Sequence, residues 1–330
     1  MDTPLPLPPG ASRELRGTVV EVHGILATVL VDDDAESTRL RCRPPRDRQT
    51  PVVGDRVRVD RSAEEPVIVE IAERARTIVR PVSEHRPLVV ATNVDRLLLV
   101  AAVDPPPRPG LVDRVLCALG SEDLEVLLVV NKIDMPGADA ALALLRHHAA
   151  LGYELLPVSA SRGDGVDALR ERLTHGLTVV MGHSGVGKST LLNRLVPGAG
   201  LLTSEVNAKT AKGRHTTTVS TCHALGAPWP RGGLVVDTPG IRSFPLHGLS
   251  LVAVADRFPG FGPAAERCRF GDCLHEDEPD CGVREAVAEG TLPKVRHRAW
   301  LALLERLRVE RAGPEPRRPP SPRRPEPSGG

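Results

Sequence analysis

Nine consecutive residues, Gly182-His183-Ser184-Gly185-Val186-Gly187-Lys188-Ser189-Thr190, constrain the fold of this chain more than any other stretch. They match G-x-x-x-x-G-K-[ST] between an apolar run, "LTVVM", and the helical "TLLNRL", the strand–loop–helix context that the pattern requires. Such a loop wraps phosphate in backbone N–H groups at a helix N-terminus, with Lys188 reaching the β/γ-phosphates and Ser189 ligating Mg²⁺. A second apolar run, "LVVDTPG", ends on Asp237, placed to hold Mg²⁺ through water, and on Gly240, whose N–H can meet the γ-phosphate. Between the two lies "NAKTAKGRHTTTVS", a polar switch-loop candidate in which a threonine completes the Mg²⁺ shell when γ-phosphate is present. Thr217 is assigned that role, with Thr216 and Thr218 open as alternatives.

The stretch "EVLLVVNKIDMPG" adds the base. Asp134 can accept from N1–H and N2–H₂ of guanine, a donor pair that adenine lacks, so it selects GTP over ATP. Asn131 is expected at the O6/N7 edge and Lys132 with its stem on the ring. In "VSA", Ser159 and Ala160 follow another strand, where the Ala160 N–H can support O6. An ATPase would require Asp134 to be idle. This base motif precedes the phosphate loop in the chain, the reverse of the usual order. Only five of the 43 basic residues are lysines, at 132, 188, 209, 212 and 294, and four of them lie in these motifs or the switch loop. That fits lysine kept where a compact ammonium is needed.

Around the motifs, "LVVATNVDRLLLVAAV" and "LEVLLVVNKID" are near-continuous apolar runs, as parallel strands covered on both faces require. "PGLVDRVLCALG" and "GADAALALLRHHAALG" have helical spacing and stop on glycine. Residues 83–250 therefore read as a doubly wound α/β nucleotide-binding domain. Residues 1–82 read as five short strands in an OB-like β-barrel. This segment contains no Phe, Tyr or Trp, so stacking of single-stranded bases is not expected there. Its arginines at 39, 41, 43, 46 and 48 either contact a phosphate backbone or form a solvated edge.

Residues 251–312 read as short helices around Cys268, Cys273, His275 and Cys281, a C-x4-C-x-H-x5-C spacing suited to one tetrahedral structural Zn²⁺. Cys42, Cys117 and Cys222 are expected as buried small side chains, and His223 and the His147/His148 pair as structural or exposed. Residues 313–330, rich in Pro and Arg, are expected to be disordered. With 43 basic and 42 acidic residues, bulk charge announces no polyanionic partner. Six cysteines are too few for a disulfide scaffold, and no apolar run approaches the roughly 18 residues of a membrane span. The opening "MDTPLPLPPG" lacks the features of a signal peptide. A cytoplasmic chain, not membrane-bound and monomeric, is the expectation.

The order NKID, VSA, GHSGVGKS, RHTTT, DTPG is a circular permutation of the usual GTPase order. Joined to an N-terminal barrel and a C-terminal Cys/His knuckle, it resembles the bacterial ribosome small subunit-dependent (biogenesis) GTPase A family. Matching stretches run from "VVGDRV" through "ATNVDRLLLV", "KGRHTTT" and "DTPGIRSF" to "CRFGDCLHEDEPDCGV". The resemblance implies GTP hydrolysis to GDP and phosphate, stimulated by the small (30S) ribosomal subunit late in its maturation, with contacts to 16S rRNA. One departure is that "RCRPPRDRQTPVVGD" lacks the Arg-Gly-Lys-like element common in that barrel. The residue after DTPG is Ile241, where many GTPases carry a water-orienting Gln. His215, beside the switch threonines, is the candidate catalytic residue, a role the resembling family suggests; a solvated loop histidine is the other reading. The alternative function is a GTP-dependent regulatory module for another RNA or protein partner with incidental hydrolysis. Because DTPG runs through "IRSF" towards the knuckle, γ-phosphate sensing at Gly240 is expected to couple to the zinc domain's placement.

Overall fold

The computed structural model describes residues 14–32, 37–45, 49–62, 64–83, 86–108, 110–120, 124–196, 221–226, 232–237, 246 and 248–312. His215, Thr216 to Thr218, Gly240, Ile241, Arg46, Arg48 and the 313–330 tail lie outside these residues.

The N-terminal strands are β1 (Glu14–His23), β2 (Leu26–Val31), β3 (Arg39–Cys42), β4 (Arg56–Asp60) and β5 (Val67–Ile71). Strand β1 pairs antiparallel with both β2 and β4, β2 with β3, and β4 with β5. A parallel bridge between Arg43 and Val67 joins β3 to β5 and closes the ring, with Ile68 N–H donating to Arg43 O at 3.0 Å. This order, 1-2-3-5-4-1, is the OB-like barrel anticipated from the strand spacing. Period-two alternation fills it with Val19, Ala27, Val29, Cys42, Val57, Val59 and Ile68 and turns Arg39, Arg41 and Arg58 outward.

The central sheet has the spatial order β10-β9-β8-β11-β13-β12. Strands β8 (Arg96–Ala102), β9 (Glu125–Asn131), β10 (Glu154–Pro157), β11 (Gly176–Gly182) and β13 (Gly233–Asp237) are parallel, and β12 (Thr221–Leu225) is antiparallel at one edge. On one face pack α1 (Leu111–Leu119) and α2 (Ala138–Ala149), through Val112, Val115, Leu116, Ala141 and Leu145. On the other pack α3 (Val166–Arg172) and α4 (Lys188–Leu195), through Val166, Leu169, Leu191, Leu192 and Leu195. Coverage on both faces is why these strands read as unbroken apolar runs.

The barrel is fused to this sheet. Glu21 of β1 pairs with Thr221 of β12, and Val20, Leu30 and Val53 share one buried cluster with Val94, Leu177, Val179, Cys222 and Leu234. At the seam Gly54 adopts φ +91°, and a Cβ there would lie 2.0 Å from Thr92 O. Buried Asp55 accepts from Arg74 Nε at 2.7 Å and Nη2 at 2.8 Å, pinning the chain that leaves the barrel. The expected 82/83 boundary falls inside a hairpin of β6 (Ile78–Ser83) and β7 (Arg86–Ala91).

The C-terminal segment holds α5 (Leu251–Asp256), capped by the Ser250 hydroxyl accepting from Ala253 N at 3.0 Å, then α6 (Gly262–Ala265), α7 (Gly282–Glu289) and the long α8 (Lys294–Ala312). Trp300 packs edge-on against Phe258 and Phe261 in its core, and the two Phe rings are tilted on each other, with ring centroids 4.7 to 6.1 Å apart. Helix α1 serves both cores, since Cys117 lies in the C-terminal cluster while Val115 and Leu116 face the sheet. Arg296 of α8 seals the junction by donating to Asp113 Oδ1 at 2.7 Å, and His148 of α2 meets the same oxygen at 2.9 Å. Arg114 adds a two-pronged pair with Glu310 at 2.9 and 2.6 Å. The C-terminal segment therefore contacts the sheet domain through α1 and α2; the DTPG route to it passes, after Asp237, through residues outside those described.

Candidate functional site

Parallel strands deliver their C-terminal ends to one edge of the sheet, and the candidate residues collect there. Strand β11 lies between β8 and β13, and its register sets Val180 opposite Asp237, so that Asp237 ends its strand beside the start of the phosphate loop. The loop turns on Gly185 (φ +87°) and Gly187 (φ +88°), left-handed conformations that glycine adopts without strain. Gly187 then caps α4, leaving the first N–H groups of that helix at the loop mouth. Lys188 folds back over the loop, donating to Gly182 O at 2.8 Å and His183 O at 3.0 Å. Val186 is buried beneath, while Ser184 and Gly185 are exposed and Ser189 and Thr190 half-buried. Asp237 thus ends its strand next to β11, which leads into the phosphate loop, and Ser189 lies in the first turn of the helix that follows the loop.

The base motif sits two strands away, at the end of β9. Asn131 is 1 % exposed; its Nδ2 donates to Val186 O at 2.9 Å and its Oδ1 accepts from Ala160 N–H at 3.0 Å. A Cβ on Gly187 would lie 2.4 Å from that Nδ2, so the glycine leaves room for the amide. The Ala160 N–H, expected on the base, is held by Asn131 here. Asn131 itself braces the phosphate loop against the 159–161 loop. Lys132, at φ +63°, donates to Asp104 O at 2.5 Å with its stem alongside Gly187. Asp134 is aimed by two hydroxyls, Ser159 Oγ donating to Oδ1 at 2.6 Å and Ser161 Oγ to Oδ2 at 3.3 Å. The Ser159 hydrogen bond chiefly holds the Asp134 carboxyl below its ordinary range, so it is an acceptor at neutral pH, as reading an N–H pair requires.

Three participants went unnoticed in the sequence. Ser161 directly follows the VSA match, and extending that motif by one residue finds it. Asp104 and Arg194 carry no local signal; Arg194 reaches the 159–161 loop only through the tertiary fold, by hydrogen bonds to Ala160 O and Ser161 O.

The second centre is the knuckle. Cys268, Cys273, His275 and Cys281 bring their donor atoms within 4.8 Å of one another. His275 Nδ1 lies 3.5 Å from both Cys268 Sγ and Cys281 Sγ, and the two sulfurs are 4.0 Å apart. A tetrahedral zinc with bonds of about 2.3 Å to sulfur and about 2.05 Å to nitrogen has edges of about 3.8 and 3.6 Å, so the donor set fits such an ion. Burial pushes the Cys273 thiol up to about 12 and raises Cys281 as well, while it lowers His275. A cation in their midst is what would hold these thiols as thiolates. The intervening loop is fixed independently. Glu278 accepts from Leu274 N at 2.7 Å and Glu276 N at 2.8 Å, Trp300 Nε1 donates to Leu274 O at 2.6 Å, and His297 Nε2 donates to His275 O at 2.7 Å.

Asp113, His147 and His148 also gather their donor atoms within 4.8 Å. There the Arg296 guanidinium occupies the cation's place on Asp113 Oδ1, so this cluster is an ion-pair junction between helices. His148 is buried and His147 and His223 half-buried; Cys42, Cys117 and Cys222 are buried, as anticipated.

A family model described as RsgA GTPase matches residues 71–247. The small ribosomal subunit biogenesis GTPase RsgA of Bordetella pertussis is 37% identical over 297 residues, spanning 89% of this chain and 97% of that protein. The protein of the same description from Gemmatimonas aurantiaca is 38% identical over 261 residues, spanning 77% and 84%. Among solved structures, YjeQ from Thermotoga maritima superposes with a TM-score of 0.70 at 30% identity, over 89% of this chain and 98% of that one. YloQ, a circularly permuted GTPase, superposes with a TM-score of 0.69 over 95% and 100%; at 22% identity that likeness concerns the fold.

Proposed function

The chain belongs to the RsgA GTPase family of GTP-hydrolysing enzymes, acting in ribosome biogenesis, and from that premise we propose that it binds the small ribosomal subunit and hydrolyses GTP during late subunit maturation. The observation that carries the GTP reading is the joining of two motifs distant in sequence. Asn131 ties the phosphate loop to the loop whose hydroxyls aim Asp134, so base and phosphate elements form one rigid cradle. In this reading residues 182–190 wrap the phosphates and Lys188 trades its loop carbonyls for phosphate oxygens. Ser189, Asp237 and Thr217 hold Mg²⁺, and Gly240 senses the γ-phosphate. Zn²⁺ at Cys268, Cys273, His275 and Cys281 is structural, since four protein donors leave no open position.

With Ile241 in place of a glutamine, intrinsic turnover is slow, and the ribosomal subunit supplies what is missing by ordering His215 against the attacking water. The exposed Arg39, Arg41 and Arg43 of the barrel suit contacts to the 16S rRNA backbone. Among the described residues no helix is long and apolar enough to cross a membrane. GTP turnover measured with and without purified small subunits tests the proposal. Strong stimulation that His215→Ala abolishes, with GTP affinity retained, is expected. Equal rates with and without subunits would refute the ribosomal reading, and unchanged stimulated turnover in the variant would remove His215 from the chemistry.

A further inference from the structure

The last turn of α4 sends one side chain back across the site instead of into the core. Arg194 donates from Nε to Ala160 O at 3.1 Å and from Nη2 to Ser161 O at 2.7 Å. The two carbonyls are consecutive, so one planar fork orients two successive peptide units on either side of Ser161, which a single rotating ammonium does less well. The same helix starts at Lys188, where the phosphate loop ends. Its far end is anchored in turn. Arg170 of α3 donates to Arg194 O at 2.8 Å and is itself held by Asp167 at 2.6 Å.

On its other side, the 159–161 loop faces the base motif. Ser159 and Ser161 donate to the two oxygens of Asp134, and Ala160 N–H donates to Asn131. The weaker of the two hydroxyl contacts, 3.3 Å, belongs to Ser161, the residue whose carbonyl Arg194 grips most closely. The loop is therefore clamped between the base-facing carboxylate and the helix that carries the phosphates.

We propose that Arg194 is a positioning residue for guanine recognition: by fastening the Ala160 and Ser161 carbonyls to the phosphate-loop helix, it aims Asp134 and sets the preference for purines bearing a 2-amino group. The inference rests on the reading of Asp134 as the base-selecting carboxylate. Losing the clamp leaves the carboxylate's charge and Lys188 untouched and loosens only the direction in which Asp134 points. Its signature is a change in selectivity between bases, with phosphate binding preserved.

The test is calorimetric titration of the full chain with Mg²⁺·GDP and Mg²⁺·IDP, whose hypoxanthine base lacks the 2-amino group. Wild type is expected to prefer GDP. Arg194→Met, which keeps the stem and removes both donors, should lose roughly 5- to 20-fold in GDP affinity, on the scale of the net worth of one hydrogen bond, because the clamp acts on the base only through Asp134. Its IDP affinity should fall less than about threefold, because IDP keeps N1–H but lacks the 2-amino half of the donor pair, so less of its binding depends on how Asp134 is aimed. Arg194→Lys should lie between wild type and Met, and it carries the same test should Met lower the melting temperature. Equal loss for both nucleotides, or an unchanged GDP:IDP ratio in both variants, would overturn the positioning role. A wild type that binds GDP and IDP alike would overturn the base reading beneath it, so the two failures are distinct.

Discussion

Replacing Asp113 by Asn tests the junction between the sheet domain and the C-terminal segment. The carboxylate is 1 % exposed and accepts from Arg296 at 2.7 Å and His148 at 2.9 Å. Arg296, equally buried, retains only Pro259 O at 2.9 Å and the face of Phe258 at 4.6 Å once the charge is gone, and its Nε and Nη1 have no hydrogen-bond partner among the described residues. Leaving one member of a buried ion pair uncompensated costs about 3–5 kcal/mol. The amide oxygen of Asn returns about 0.5–1.5 kcal/mol as a neutral acceptor. A cavity of about 350 Å³ lined in part by Asp113, His148 and Arg298 gives water an approach, which favours the low end. The net expectation is about 2–3 kcal/mol, or a urea midpoint lowered by about 1–2 M at an m-value near 1.5–2 kcal/mol/M. In a Trp229→Phe background Trp300 is the single tryptophan and reports the C-terminal segment. Its transition should precede that seen by far-UV circular dichroism, a departure from two-state unfolding. Arg296→Met should cost less, because His148 still pairs with Asp113, and the double variant should be more stable than Asp113→Asn alone. Burial pushes the Asp113 carboxyl up, but the His148 and Arg296 hydrogen bonds and the Arg296 charge outweigh it and leave it below the usual range. Its contribution is therefore present above the unfolded carboxyl pKa of about 3.9 and is lost as pH falls through the depressed folded value. Additive single-variant costs, to within about 0.5 kcal/mol, would refute this account of the pair.

The knuckle should hold one zinc per chain by elemental analysis. Cys281→Ser should lose the metal and shift the Trp300 fluorescence, while a zinc-free chain with native Trp300 emission would remove the structural role. Gly187→Ala places a Cβ 2.4 Å from Asn131 Nδ2 at φ +88°, so nucleotide affinity should fall at least about tenfold; unchanged GDP titration would show that the brace yields freely. Gly54→Ala, with a Cβ 2.0 Å from Thr92 O, should lower stability by about 2 kcal/mol or more in thermal melts, and an unaffected melting temperature would mean that the barrel can shift away from the sheet.

Residue spacing encodes the parts whose chemistry is local. A phosphate loop needs its glycines and lysine at contiguous spacing, a metal knuckle needs four donors within fourteen residues, and strands covered on both faces must be apolar throughout. These features are legible in the residues, together with the permuted motif order and the barrel's alternation. Which residues hold those parts in place follows only from how the chain packs. Asn131 lies 55 residues from the Val186 carbonyl it braces, Arg194 lies 34 from Ala160, and Arg296 lies 183 from Asp113. An arginine or asparagine in a helix or at a strand end has the same local preference whatever it later touches. Its partner is set by sheet order and helix packing, and no short window of residues encodes these. The pairing of Glu21 with Thr221, which fuses the barrel to the sheet domain, belongs to the same class of decision.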